Sequence, residues 1–148
     1  MKKFVMISLC VVMLTTIFIG CSSTKTSSSN SSNTTEKQIP DLTGEWKQEN
    51  TESEKSYQSA TITNDTITIY WIMDNGDTKS LYWEGSFVAP KTADEPYSWD
   101  SKNDHSKTEK SILASSDETK TITYQDGILS YEASAMGTTK TVKLKKQK

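Results

Sequence analysis

Ala60-Thr61-Ile62-Thr63-Asn64-Asp65-Thr66-Ile67-Thr68-Ile69-Tyr70-Trp71 decides the fold class. Apolar and polar residues alternate with period two on both sides of Asn64-Asp65, the pattern of two half-buried strands joined by a two-residue turn. In that register Ile62 opposes Ile67 and Ala60 opposes Ile69, so one face is apolar along its length. A slip of one residue would turn the whole apolar set to the other face. The stretch predicts a β-hairpin, and Tyr57 belongs to its first strand.

Downstream lies Asp74-Asn75-Gly76-Asp77. A two-residue Asn-Gly turn would oppose Trp71 to Ser80 and Ile69 to Tyr82, breaking the apolar face. A three-residue loop with Gly76 left-handed opposes Ile69 to Leu81 and Ile67 to Trp83, and this is the register expected. Gly85 and Phe87 continue the face, and Ala89-Pro90 ends the strand. Near the C-terminus, Thr121 to Gln125, an Asp126-Gly127 turn and Ile128 to Ala135 form a second hairpin. It pairs Ile122 with Tyr131 and Tyr124 with Leu129. A turn at Met136-Gly137 returns Thr139 to Lys145, placing Val142 opposite Tyr131 and Leu144 opposite Leu129. Further strands are expected at Leu42–Gln48, Tyr97–Asp100 and Glu109–Ser115. The whole predicts an all-β domain over residues 41–148, an antiparallel up-and-down meander of about eight to nine strands closed as a small barrel, with a β-sandwich as the alternative.

The aromatic residues are the candidate contacts. Trp71 and Trp83 share the expected inner face, and with Trp46 they frame either a core or a cavity for a small apolar ligand. Tyr70, Tyr82 and Trp99 are expected to point outward, where rings stack on a sugar or a protein partner. No catalytic constellation emerges. His105, the single histidine, lies in the polar run from Ser101 to Lys107. Asp100-Ser101-Lys102-Asn103-Asp104 begins like a calcium loop, but Lys102 takes a ligand position and His105 the place of the required glycine. Asp94, Glu95, Asp117 and Glu118 sit beside turns, where carboxylates are ordinarily found. No metal, cofactor or enzymatic activity is expected.

The N-terminus carries a different message. Met1-Lys2-Lys3 is followed by an uncharged run of about 16 apolar or weakly polar residues, shorter than the ~20 that a helix needs to cross a bilayer. The run ends Ile17-Phe18-Ile19-Gly20-Cys21, which resembles the bacterial lipoprotein signal. That resemblance implies removal of residues 1–20 as a signal peptide and a diacylglyceryl group on Cys21. Two acyl chains suffice for stable anchoring at the outer face of the cell membrane. Cys10 leaves with the signal, so the mature chain holds one cysteine and no internal disulfide. From Ser22 to Gln38 nearly every residue is Ser, Thr or Asn, a composition that stays a coil. Residues 21–40 thus form a lipidated, flexible linker whose average reach is on the order of 20 to 25 Å.

All 17 basic residues are lysine, against 19 acids; once Lys2 and Lys3 leave, 15 lysines remain. The mature chain is therefore mildly acidic, and nucleic-acid binding is not expected. The Lys143, Lys145, Lys146 and Lys148 run reads as a solvated strand face and tail.

Two further resemblances concern the domain. Leu42-Thr43-Gly44-Glu45-Trp46 is similar to the first strand of lipocalins and avidins, which implies an up-and-down barrel bent at Gly44 and closed at one end by Trp46. Tyr70-Trp71, the run Asp74 to Trp83, Tyr97-Ser98-Trp99 and Gly137 to Val142 resemble small uncharacterised lipoproteins of Gram-positive bacteria and their phages. The implied function is a non-enzymatic binding or interaction module in the envelope, with an envelope protein or a small ligand as partner. Phage superinfection exclusion and a small apolar ligand-binding barrel are the alternatives.

Overall fold

The computed structural model describes residues 37–135 and 137–148. The expected signal peptide, the expected lipid site at Cys21 and most of the expected linker lie outside the described residues.

Eight antiparallel strands follow one another: β1 Gly44–Gln48, β2 Tyr57–Thr63, β3 Thr66–Met73, β4 Thr78–Ser86, β5 Tyr97–Lys102, β6 Thr119–Gln125, β7 Ile128–Ala135 and β8 Thr138–Lys146. They form one sheet in the order β4-β3-β2-β1-β8-β7-β6-β5. Every sequential pair is joined except β4 and β5, and β1 pairs with β8, so the meander curls into a lipocalin-like small barrel, nearly closed, with its seam between β4 and β5. Expected and observed registers agree for Ile62↔Ile67 and Ala60↔Ile69, for Tyr124↔Leu129, and for Tyr131↔Val142 and Leu129↔Leu144. Alternation carries these pairings because the inward set (Ile62, Ile67, Ile69, Leu129, Leu144) is fully buried.

Two expectations are corrected. The β3–β4 loop spans four residues, pairing Met73 with Thr78 and Trp71 with Ser80, and the register shifts at Ile69/Tyr70 so that Ile69 meets Trp83 and Ile67 meets Gly85. A β-bulge at Tyr82 absorbs the extra residue and turns both Tyr82 and Trp83 into the core. The segment Glu109–Ser115 is not a strand. Asp104 caps the helical turn α1, His105–Thr108, accepting a hydrogen bond from Ser106 N at 3.0 Å, and the chain then runs as a strap beside β4. Ser115 N donates to Tyr82 O at 2.9 Å and Asp104 N to Glu84 O at 2.8 Å, satisfying carbonyls that β5 leaves unpaired.

The rest of the seam is held without a ladder. Gly85 and Asn103 form an isolated bridge, Lys102 N donates to Ser86 Oγ at 2.9 Å, and Trp99 Nε1 donates to Ser86 O at 3.1 Å.

The meander gives the barrel two unlike ends. The chain arrives at β1 through Lys37, whose ammonium lies 3.2 Å from Glu95 in the β4–β5 loop; this end also holds the 64–65 and 126–127 turns and the end of β8. The opposite, far end holds loops 49–56 and 74–77 and the β7–β8 turn, and the strap runs toward it along β4, from Asp104 and His105 beside the 64–65 turn to Ile112 beside Met73 and Thr78. The near half of the interior is apolar, with Leu42, Ile62, Ile67, Phe87, Leu129 and Leu144 buried there. Among the described residues the buried polar side chains are Gln58, Ser101, Thr108 and Lys120; Gln58 and Lys120 stand toward the far ends of β2 and β6, Ser101 meets Gly85 across the seam, and Thr108 lies on α1.

Candidate functional site

The far end carries a crevice of about 330 Å³, within the ~300–1,000 Å³ range of small-molecule sites. Trp71, Ala133 and Val142 give it an apolar floor. Ser56 and Gln48 edge one side and Thr138 and Lys140 the other. The rim is fixed by internal bonds: Asn50 Nδ2 donates to Thr141 O at 2.8 Å, Lys143 N donates to Asn50 Oδ1 at 3.0 Å, and Gln58 N donates to Gln48 Oε1 at 2.8 Å. Loop 49–56 is thereby clamped to β8, and the site is shaped before anything binds.

Beneath the floor lies a polar aromatic layer. Gln58 sits opposite Trp71 in the β2–β3 ladder, and Tyr82 meets Trp71 edge-on with centroids 5.5 Å apart. Tyr82 and Tyr131 stack at 6.5 Å, and the Tyr131 hydroxyl donates to Gln58 Oε1. Burial pushes the Tyr131 phenol well above its ordinary value, and the neighbouring Tyr82 adds to the shift. Gln58 Nε2 and the Tyr82 hydroxyl are buried with no protein partner among the described residues. An unsatisfied buried donor costs about 1–3 kcal/mol, so this layer departs from what packing alone selects.

Lys120 completes the layer from β6. Its side chain is 4 % exposed, and the ammonium lies 3.0 Å from Asp117 Oδ2 and 3.1 Å from Glu132 O. It also sits 5.3 and 5.2 Å from the ring centroids of Tyr82 and Trp83. The Asp117 carboxyl is held below its usual value by the Ser115 hydroxyl first and by Lys120 second. Replacing Lys120 by methionine keeps the volume and removes both the charge and its desolvation cost, so stability changes by less than about 1 kcal/mol. Asp117→Ala strands the ammonium and costs about 1–2 kcal/mol, less than a fully buried pair because Asp117 is half in solvent. A lowered carboxylate stabilises above its unfolded value near 3.8, and that contribution is lost as pH falls through the folded value. Urea unfolding of both variants at pH 7 and pH 3 checks this: the Asp117→Ala deficit shrinks at pH 3, and a larger loss for Lys120→Met than for Asp117→Ala contradicts it.

The aromatic candidates are distributed differently from expectation. Trp71 lines the crevice. The Trp46 indole is buried, donates to Leu42 O at 3.0 Å and stands edge-on to Tyr124. Trp83 is buried and donates to Ser101 Oγ at 2.9 Å. Tyr82 and Trp99, expected outside, are 1 % and 6 % exposed; the bulge turns the first inward, and the second packs between Phe87 and Tyr97. Tyr70 stays on the outer face with Lys79 Nζ 3.9 Å from its ring.

Gln58, Ser101 and Lys120 were missed, although a signal existed. Gln58 is in phase with Ala60 and Ile62, Ser101 with Trp99, and Lys120 with Ile122, so each polar residue occupies an inward position. His105 sits on α1, 3.1 Å from Glu118 and 3.9 Å from Glu109. Among the described residues, no group of three or more His, Cys, Asp or Glu side chains has metal-site geometry. On the strap, Ile112 is fully exposed and Leu113 half so. Comparison with family models, curated proteins and solved structures gave no match.

Proposed function

We propose that the protein is a cell-surface lipoprotein, anchored through lipid on Cys21 at the extracellular face of a bacterial membrane, whose barrel is a non-enzymatic binding module of the envelope. The observation that carries this reading is the polarity of the barrel. The chain leading from Cys21 arrives at the near end, whereas the crevice and the buried polar layer lie at the far end. A tether at one end and a preformed recess at the other suit a domain that stands off the bilayer and meets its partner with the free end.

The anchor and the orientation are tested separately. Cells fed an alkyne-tagged fatty acid label the wild-type chain and not Cys21→Ala; label in neither removes the anchor. On this reading Cys21, the one cysteine left once residues 1–20 are removed, is capped by lipid, so an introduced cysteine takes a photo-cross-linker uniquely. Ser53→Cys at the far end yields one recurrent adduct on intact cells, and Asp65→Cys at the near end does not. Equal adducts from both, or none from Ser53→Cys, contradict the far-end reading.

A further inference from the structure

We infer that the far-end crevice binds a hexopyranose unit of an envelope glycan, seated with one C–H face on Trp71. This deepens the binding reading above and rests on it.

The chemistry of the recess selects the ligand. A pyranose is amphiphilic across its thickness: one face presents C–H groups that pack on an aromatic ring, and its edge presents hydroxyls. The crevice has the matching division, with Trp71, Ala133 and Val142 as an apolar floor and Ser56, Thr138 and Lys140 along the rim. An acyl chain would use the floor alone and none of the exposed hydrogen-bonding groups of the rim. A highly charged ligand finds too little cation, because Lys140 is the one charged residue of the lining. Trp71 is half-buried, unlike Trp46, Trp83 and Trp99, so it is the indole with surface left to cover. It is also held in place: the edge contact with Tyr82 fixes the ring from below, and the strand pairings to Gln58 and Ser80 fix its backbone. A platform held in this way loses little freedom on binding.

Lys140 adds a discrimination. It is exposed and forms no ion pair with another described residue, and it stands beside the crevice where a substituent on the sugar would project. A sugar carrying a carboxylate gains a surface ion pair there, worth no more than about fivefold in affinity.

Ligand-observed saturation-transfer NMR on the purified full chain, with N-acetylglucosamine and N-acetylmuramic acid as probes up to about 20 mM, tests the assignment. Saturable transfer to the ring C–H protons of one face is expected for both, with the carboxylate-bearing sugar bound about two- to fivefold tighter. Lys140→Gln keeps a hydrogen-bonding group on the rim but no charge, so it removes that preference and the two sugars bind alike. Trp71→Ala weakens both more than tenfold; should that variant fail to fold, the exposed Lys140→Gln still decides the site. No saturable transfer with either sugar, or affinities indifferent to both substitutions, overturns the inference. Either result leaves the far-end cross-link from Ser53→Cys standing or falling by itself.

Discussion

Gly85→Ala is expected to cost about 3 kcal/mol and to lower the melting temperature by roughly 10–15 °C. A Cβ on Gly85 would lie 2.5 Å from Lys102 O, 2.5 Å from Ser101 Oγ and 2.6 Å from Trp83 Nε1. The first of these is backbone and has nowhere to go. The other two form the hydrogen bond that joins the β4 core aromatic to β5, so a methyl group there either breaks it or drives the strands apart. Elsewhere in the barrel a ladder would resist the separation; at the β4–β5 seam an isolated bridge and a few side-chain bonds stand in its place. Gly127→Ala is the control. Its φ of +83° is strained for alanine, yet nothing lies within 4 Å of the added methyl, so its cost is the conformational ~1 kcal/mol alone. Urea unfolding of the two variants side by side separates steric from conformational cost, and a smaller loss for Gly85→Ala would show that the seam is not closed by this approach.

The parts of the fold that were legible in the sequence are those where local chemistry and burial agree. Asn64-Asp65 and Asp126-Gly127 are turn residues with positive φ at Asn64, Asp126 and Gly127, and the strands on either side alternate without fault, so both registers follow from pattern alone. The β3–β4 pairing was not legible because a bulge buries two consecutive aromatics, Tyr82 and Trp83, and period-two reasoning must send one of them outward. The strap failed for the opposite reason. Ser111-Ile112-Leu113-Ala114 is apolar enough to read as a strand, but its neighbourhood is decided by the unpaired carbonyls of β4, a demand that arises only once β5 has stopped short of pairing.

The candidate site shows the same division. The chemistry of Trp71 was visible as an inward aromatic, but its accessibility depends on loop 49–56 being folded back onto β8 through Asn50, whose partners Thr141 and Lys143 lie more than 90 residues away. No local window contains that contact. The buried polar layer was readable in principle from phase, since Gln58 and Lys120 interrupt inward rows that are otherwise apolar. A barrel stabilised by packing alone would carry aliphatic residues there, and their replacement near one end only marks where stability yields to another demand.

Trp46→Ala is expected to remove about 3–5 kcal/mol, a large fraction of the ~5–15 kcal/mol by which a folded domain exceeds the unfolded chain. The indole is 1 % exposed, and burial of an aromatic of this size takes roughly 200 Å² from water, or about 5 kcal/mol at 25 cal/mol per Å². Partial collapse of the barrel would recover some of that, but Trp46 stands on β1, the strand that joins β2 to β8 and so links the two four-stranded halves. Collapse there must move both halves at once. Trp46→Phe isolates the polar part, keeping most of the area and losing the 3.0 Å bond to Leu42 O, at about 1–2 kcal/mol. Thermal unfolding followed by near-ultraviolet circular dichroism is the measurement: Trp46→Ala melts near or below 37 °C while Trp46→Phe stays folded. A Trp46→Ala variant that melts within a few degrees of wild type would mean that the interior tolerates a hole of this size, and that Trp46 serves something other than closing the barrel.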